Sequence, residues 1–526
     1  MSKITNFTPK NYTIMTFEQS IAEAYTFKGE SFLLGGAVLE GKTITGSKVN
    51  LPLKTMNRHG LIAGATGTGK TKTLQYLAEG LSDACVPVMM MDIKGDLSGI
   101  GASGVSNEKI TERCALLGIE YKPSAYPIEF LTLSNEPGSR LRATVSEFGP
   151  VLFSKILGLN DTQEGIVSMI FKYCDDHQLP LLDLKDMIRV LQYMNKEGKD
   201  EIKEAYGNIS SQSTGTILRK IIELQQQKAD VFFGEKSFEV DDLMRISDDG
   251  RGMISIVRVA DLQDRPKLFS TFMLQLLAEL YASLPEAGDL DKPKLALFID
   301  EAHLIFQDAT EALLQQLETV IKLIRSKGVG IFFITQNPND IPQAILGQLG
   351  LKIQHALRAF TAKDRQDIKK VAENYPETAF YQTEDLITQL GIGEAFVTLL
   401  NEKGIPTPLV HAMICPPRSR MDVLTDSEIN AIVAQSKIAK KYNVEMDSKS
   451  AYELLNEKLS EAGGAEALEE KKAESKKEEK STLESILENP VARQVGRTAA
   501  SIITRSLLGV LGLGGTSSRR KKTSWF

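Results

Sequence analysis

Residues Gly64, Ala65, Thr66, Gly67, Thr68, Gly69, Lys70 and Thr71 satisfy the pattern GxxxxGK[ST] in full. Glycines at this spacing let backbone N–H groups turn inward around a phosphate chain. A helix opening at Lys70 adds the partial positive charge of its N-terminus. The Lys70 ammonium is placed to reach β- and γ-phosphates, and the Thr71 hydroxyl to take a position on Mg2+. Much later, LALFIDEAH (295–303) ends an apolar run in two carboxylates. Asp300 is expected to hold the metal through water, and Glu301 to polarise the attacking water. A carboxylate beside the γ-phosphate favours hydrolysis over transfer to a small molecule, since a phosphotransferase must exclude that water. IFFITQNPND ends a third apolar run in Thr335-Gln336. There the Gln336 amide can sense the γ-phosphate or orient water. Arg325 in LIRSKGVG and Arg358 in HALRAF are candidates for a charge reaching into a neighbouring subunit's site. Each has the alternative of a salt-bridged surface residue.

These residues need strands and helices to bring them together. HGLIA, GATGTGK and TKTLQYLAEGLSDA read as strand, loop and helix, with Leu74, Leu77 and Leu81 on one helix face. VPVMMMD, YPIEFLTLS, GMISIVRVA, KLALFID, VGIFFITQ, KIQHALRAF, EAFVTLL and PLVHAMI read as further strands, with helices between several of them. Continuous apolar runs fit parallel strands buried on both faces. The class is therefore α/β, with a mostly parallel sheet, a helical insertion and a helical or disordered C-terminal appendage. The expected division is a small N-terminal region with short strands (1–57), a first part of the core (58–142) and a helical insertion (143–245). A second part of the core (246–418), a helical extension (419–464), and a charged linker with an amphipathic basic tail (465–526) follow. Thr425 and Glu428 form a capping box. In the tail, Val491, Val495, Ile502, Leu507 and Leu511 trace a helix stripe. The last 46 residues carry seven basic side chains against two acidic ones. Such a segment can capture a partner, rest on anionic lipid, or dock on its own chain.

The 526 residues exceed one ordinary core, and 42% hydrophobic with 25% charged is an ordinary soluble composition. The net charge of −6 argues against a non-specific nucleic-acid coat, so any such contact must be local. Lys352, Lys363, Arg365, Lys369 and Lys370 are the nearest basic cluster, with a solvated helix face as the alternative. The four cysteines are far apart in sequence and have no metal-ligand spacing with histidine. Reduced thiols, no visible signal segment and no apolar run of ~18–20 residues lead to the expectation of a cytoplasmic protein without a membrane span.

The set RHGLIAGATGTGKT, MDIKGDLSGI, ALFIDEAH, GVGIFFITQNPNDIP and LRAFTAKDRQDIKK resembles the HerA–FtsK superfamily of ring-forming P-loop ATPases, over roughly residues 30–415. Within it, the set looks most like the bacterial HerA-like group. The resemblance implies a RecA-like P-loop NTPase core, ATP and Mg2+ as cofactors, a homo-hexameric ring, and DNA moved through its pore as in a translocase or helicase. It also implies that Asp92 and Lys94 occupy an acidic turn bordering the site. The alternative is an ATP-driven switch that remodels a protein partner, with DNA incidental.

Overall fold

The computed structural model describes residues 16–472 apart from 135, 261–265, 308, 310, 445 and 447. The stripe expected from Val491 to Leu511 lies outside the described residues. The strands are Ser31–Leu39 (β1), Lys42–Pro52 (β2), Gly60–Ala63 (β3), Val88–Asp92 (β4), Ile128–Thr132 (β5) and Ser139–Arg140 (β6). They continue with Ile254–Arg258 (β7), Leu295–Ile299 (β8), Val329–Thr335 (β9), Leu351–Gln354 (β10), Glu394–Thr398 (β11) and Val410–Ile414 (β12).

All twelve join one sheet in the order β2-β1-β12-β11-β10-β3-β9-β8-β4-β7-β5-β6. From β10 to β6 every pairing is parallel. The other edge, β11, β12, β1 and β2, is antiparallel. Within the parallel part, β10-β3-β9-β8-β4 has the RecA-like order, with the phosphate-loop strand β3 separated from β8 by β9. The hairpin β1–β2 is seated on the same sheet through β12.

Alternate side chains of the central strands serve two cores, which is why these segments are apolar throughout rather than alternating. Leu61, Met89, Met91, Leu297, Ile299, Ile331 and Phe333 face one core, shared with helices Pro266–Ser283 and Glu311–Ile324. The insertion helices Val145–Leu157, Asp161–Asp176, Leu184–Asn195 and Ser211–Gln226 close this core. Ile62, Val88, Met90, Phe298, Phe332 and Ile334 face the other core, under helix Lys70–Asp83. Phe298 and Phe332 lie opposite each other on β8 and β9 and stack with centroids 4.7 Å apart. A fifth insertion helix, Lys199–Ala205, is too short to register as a periodic pattern; Ile202 is its one buried residue.

The segment after β12 straps the helix that follows the phosphate loop. The buried Glu79 carboxylate accepts the N–H groups of Arg418 (2.8 Å) and Ser419 (3.0 Å). The Gln75 amide donates to Ser419 Oγ (2.7 Å) and to the Arg420 carbonyl (2.9 Å). Thr425 and Glu428 make the expected capping box at the start of helix Asp426–Gln435. Helix Ala451–Lys472 includes the first residues of the charged segment that starts at 465. It starts against the insertion: the Tyr452 N–H donates to Asp186 Oδ1 and Arg189 Nε to Asn456 Oδ1, each at 2.9 Å. The four cysteines are free, three of them buried. Among the described residues, no helix is long and apolar enough to cross a membrane.

Candidate active site

Register places the chemistry on one edge of the sheet. Ala63, the last residue of β3, is level with Thr335 on β9 and Gln354 on β10. Met91 and Ile299 are paired, so Asp92 and Asp300 follow side by side at the carboxyl ends of β4 and β8. The loop 64–69 and the acidic ends therefore share an edge, separated by the width of β9. Two strand spacings, about 10 Å, leave room for a phosphate chain and a water between them.

The loop is sewn to both neighbouring strands. The Gly64 N–H donates to the Thr335 carbonyl (3.3 Å) and the Ala65 N–H to the Ala356 carbonyl (2.8 Å). The second bond explains why KIQHALRAF is not extended throughout: β10 stops at Gln354, and the chain then turns to close the loop. Gly64 has φ +151°, and a Cβ there would come within 2.6 Å of His355 Cβ. Gly69 has φ +110° and no side chain caps the helix it opens, so the first-turn N–H groups keep no side-chain acceptor. Lys70 is buried, and its Nζ donates to the Ala65 carbonyl at 3.0 Å. Burial, with the charge of Lys94 adding, pulls its pKa down. Thr71 is half-buried in the first turn, and Thr66 and Gly67 are exposed at the loop's tip.

The acidic end is more constrained. Asp300 is buried, and burial pushes its carboxyl up to about 6, with Lys94 opposing and Glu301 reinforcing. Glu301 takes φ +45°, a left-handed conformation unusual for a side chain this large, and donates its N–H to Asp300 Oδ1 at 2.9 Å. The next residue returns at once to the sheet, the Ala302 N–H donating to the Ile334 carbonyl at 2.9 Å. Glu301 is only 6% exposed. Its Oε1 is ion-paired with Lys94 Nζ. Its Oε2 lies 3.3 Å from His303 Nδ1 but is buried without a hydrogen bond. The turn bearing Lys94 is built by Asp92, whose carboxylate accepts the N–H groups of Gly95 (2.8 Å), Asp96 (3.1 Å) and Leu97 (3.3 Å). Burial and the neighbouring Asp96 push Asp92 up to about 7.

Lys70, Thr71, Asp300, Glu301 and Gln336 thus lie along one edge, with Gln336 exposed at the end of β9. Arg358 is exposed beyond β10 and donates to the Thr388 carbonyl at 2.9 Å. Arg325 is exposed just before β9, at the amino ends of the strands, on the far edge from the loop. Among the described residues, neither arginine makes a hydrogen bond or ion pair to the loop.

Lys94 entered the sequence reading only as a turn residue, and its contact with Glu301 depends on two strands whose paired residues are 208 positions apart. His355 was missed because its segment read as strand. It is fully buried beneath the loop. Its Nδ1–H donates to the Glu394 carbonyl (2.8 Å) and its Nε2 accepts from Thr73 Oγ1 (2.9 Å), which defines a neutral ring. His59, below β3, is held neutral between the Ile321 carbonyl (2.9 Å) and the Ile331 N–H (3.0 Å). Burial pulls both rings down to about 4. A folded pKa below the unfolded value means that stability from these rings is present above about 6.5 and lost as the pH falls toward 4. The raised carboxyls of Asp92 and Asp300 push the opposite way, so a denaturation midpoint mixes the two effects. Ring resonances separate them: His59 and His355 are expected not to titrate between pH 7.5 and 5. Titration of either near 6.5 would show that its ring is not held in this neutral arrangement.

The donor set fits a magnesium–triphosphate. A glycine-lined loop, a buried ammonium, a first-turn hydroxyl and two buried carboxylates lie on one edge, and one carboxylate oxygen makes no hydrogen bond. Among the described residues no cluster of three metal-ligating side chains occurs. Mg2+ takes one or two protein oxygens, as the Thr71 hydroxyl and Asp300 carboxylate offer, and completes its shell with phosphates and water.

The family described as "Helicase HerA-like C-terminal" matches residues 38–519. The DNA double-strand break repair helicase HerA of Sulfolobus acidocaldarius is 21% identical over 370 residues, covering 69% of this chain and 66% of that protein. The match thus spans just under two thirds of that relative's length. Among solved structures, the bacterial conjugative coupling protein TrwB (TrwBdeltaN70) is similar with a TM-score of 0.49 and 13% identity, over 77% of this chain and 93% of that one. VirB4 of Thermoanaerobacter pseudethanolicus is similar with a TM-score of 0.48 and 17% identity, over 74% of this chain and 97% of that one.

Proposed function

The chain belongs to the HerA-like helicase C-terminal family, and from that membership we propose that it is an ATP-hydrolysing motor that works as a ring and moves along DNA. The observation that carries hydrolysis is Glu301, a buried carboxylate with one oxygen that makes no hydrogen bond, held across the intervening strand β9 from the phosphate loop. In this reading Lys70 and the loop N–H groups hold the β- and γ-phosphates, and Thr71 and Asp300 hold the metal. Bound Mg2+ supplies charge neutralisation on the phosphates. Glu301 accepts the proton of the attacking water, and Gln336 reports on the γ-phosphate from the end of β9. Arg358 or Arg325 completes the charge in a neighbour's site, which is consistent with neither reaching its own loop.

DNA as the track is supported by the family and by a local basic face. Lys363, Arg365, Lys369 and Lys370 are exposed on helix Ala362–Glu373, at the carboxyl edge of the sheet. Lys352 reaches the C-terminal cap of the same helix, its Nζ donating to the Asn374 carbonyl at 3.5 Å. Six copies of such a face around a pore add up, even in a chain of net charge −6. The test is the hydrolysis rate with duplex DNA, single-stranded DNA, RNA and no nucleic acid, with particle mass measured in ATP. Stimulation by DNA, roughly tenfold or more, together with a hexameric mass is the expected result. A rate indifferent to every nucleic acid would favour a protein-remodelling switch. A fully active monomer would remove the ring.

A further inference from the structure

Lys94 is the unexplained charge of the site. Its side chain is 37% exposed, and it stands on the Asp92 turn with its Nζ paired to Glu301 Oε1. Burial alone would lower its pKa, but the bond to Glu301 and the field of Asp300 outweigh this and raise it, so the ammonium persists at any working pH. Lys70 feels that charge directly, and the repulsion adds to the burial that lowers its pKa. Both ammonium groups stand at the carboxyl edge of the sheet, Lys70 in the first turn of an uncapped helix and Lys94 on Glu301. Lys70 has only a backbone carbonyl as partner there. Two like charges on one site favour an anion placed to offset both.

The same pair silences the base. A carboxylate oxygen bound to an ammonium has its lone pairs engaged and is not open to an attacking water. The Glu301 side chain is packed in, only 6% exposed on a backbone fixed by Asp300 Oδ1 and by the return of Ala302 to β9. Lys94, on a turn and half exposed, is the partner able to move.

We propose that Lys94 is a γ-phosphate ligand that doubles as a lock, binding Glu301 until a nucleoside triphosphate draws the ammonium away and frees the carboxylate. The exchange is one ion pair for another and makes or breaks no covalent bond. It rests on the hydrolase reading above. It couples the presence of the third phosphate to activation of the base, so the site is inactive toward water when empty or holding a diphosphate.

Binding measurements on the full chain test this, with ADP and a non-hydrolysable ATP analogue as probes, each with Mg2+. Lys94→Met should leave ADP affinity within about twofold and weaken the analogue about tenfold, the worth of one charge-assisted bond to phosphate. Lys94→Arg should recover part of that loss. Glu301→Gln, which releases the ammonium, should tighten the analogue several-fold without changing ADP. That gain should vanish in the Lys94→Met/Glu301→Gln double variant. Equal effects of Lys94→Met on both nucleotides, or a Glu301→Gln gain that survives without Lys94, would overturn the lock while leaving hydrolysis intact. A parent chain that binds neither nucleotide would overturn the hydrolase reading itself, and the lock with it.

Discussion

Glu301→Gln is expected to lower ATP turnover about a thousandfold while the triphosphate stays bound. The amide has nearly the carboxylate's shape, so the backbone held at φ +45° and the Ala302 return to β9 are retained. What is lost is the acceptor for the proton of the attacking water, a function worth roughly 10²–10⁴ in rate. No phosphate ligand is removed, so affinity does not fall. Steady-state turnover and retention of radiolabelled ATP on the isolated variant separate the two effects. Turnover at the parent rate would assign the base to another residue.

Lys70→Ala is expected to fail differently, losing affinity and rate together. A lysine bond to a phosphate oxygen contributes about 1.5–3 kcal/mol, or roughly ten- to a hundredfold in affinity, and more as charge builds in the transition state. The fold should tolerate the change. The Lys70 Nζ hydrogen bond goes to the Ala65 carbonyl, within the loop, and removal of the ammonium relieves repulsion from Lys94 while giving up attraction to Glu301 and Asp300. An unchanged melting temperature beside a collapsed ADP and ATP affinity is therefore the expected pair of results. Unaltered nucleotide binding would mean that the loop does not hold the phosphates through this ammonium.

The two variants draw on information of different kinds. Lys70 and Thr71 were legible because the loop is a local object: glycine spacing, a preceding strand and a following helix lie within one short stretch. Asp300 and Glu301 were legible because an apolar run that ends in two acids is conspicuous at a strand end. The central strands were legible for a similar reason, since burial on both faces leaves no polar residue to interrupt β4 or β8. The insertion helices carried their own 3.6-residue period, and only the seven-residue helix at Lys199–Ala205 was too short to show one.

Long-range pairing was not legible, and it decided the site. Whether Lys94 meets Glu301 depends on β4 lying beside β8, and that order follows from how helices cross over the sheet rather than from either segment. His355 belongs to a stretch whose composition favours a strand. The chain leaves the sheet there because the Ala65 N–H takes the Ala356 carbonyl and the ring fills the space under Gly64. The hairpin β1–β2 announces its own turn, but its place against β12 is set by edge hydrogen bonds that no local pattern encodes. The sequence by itself determined the elements and the phosphate chemistry, because those rest on backbone preferences and side-chain types within a few residues. Tertiary structure alone decided strand order, the Lys94–Glu301 pair and the neutral histidine beneath the loop, because each arises from groups brought together by burial across distant parts of the chain.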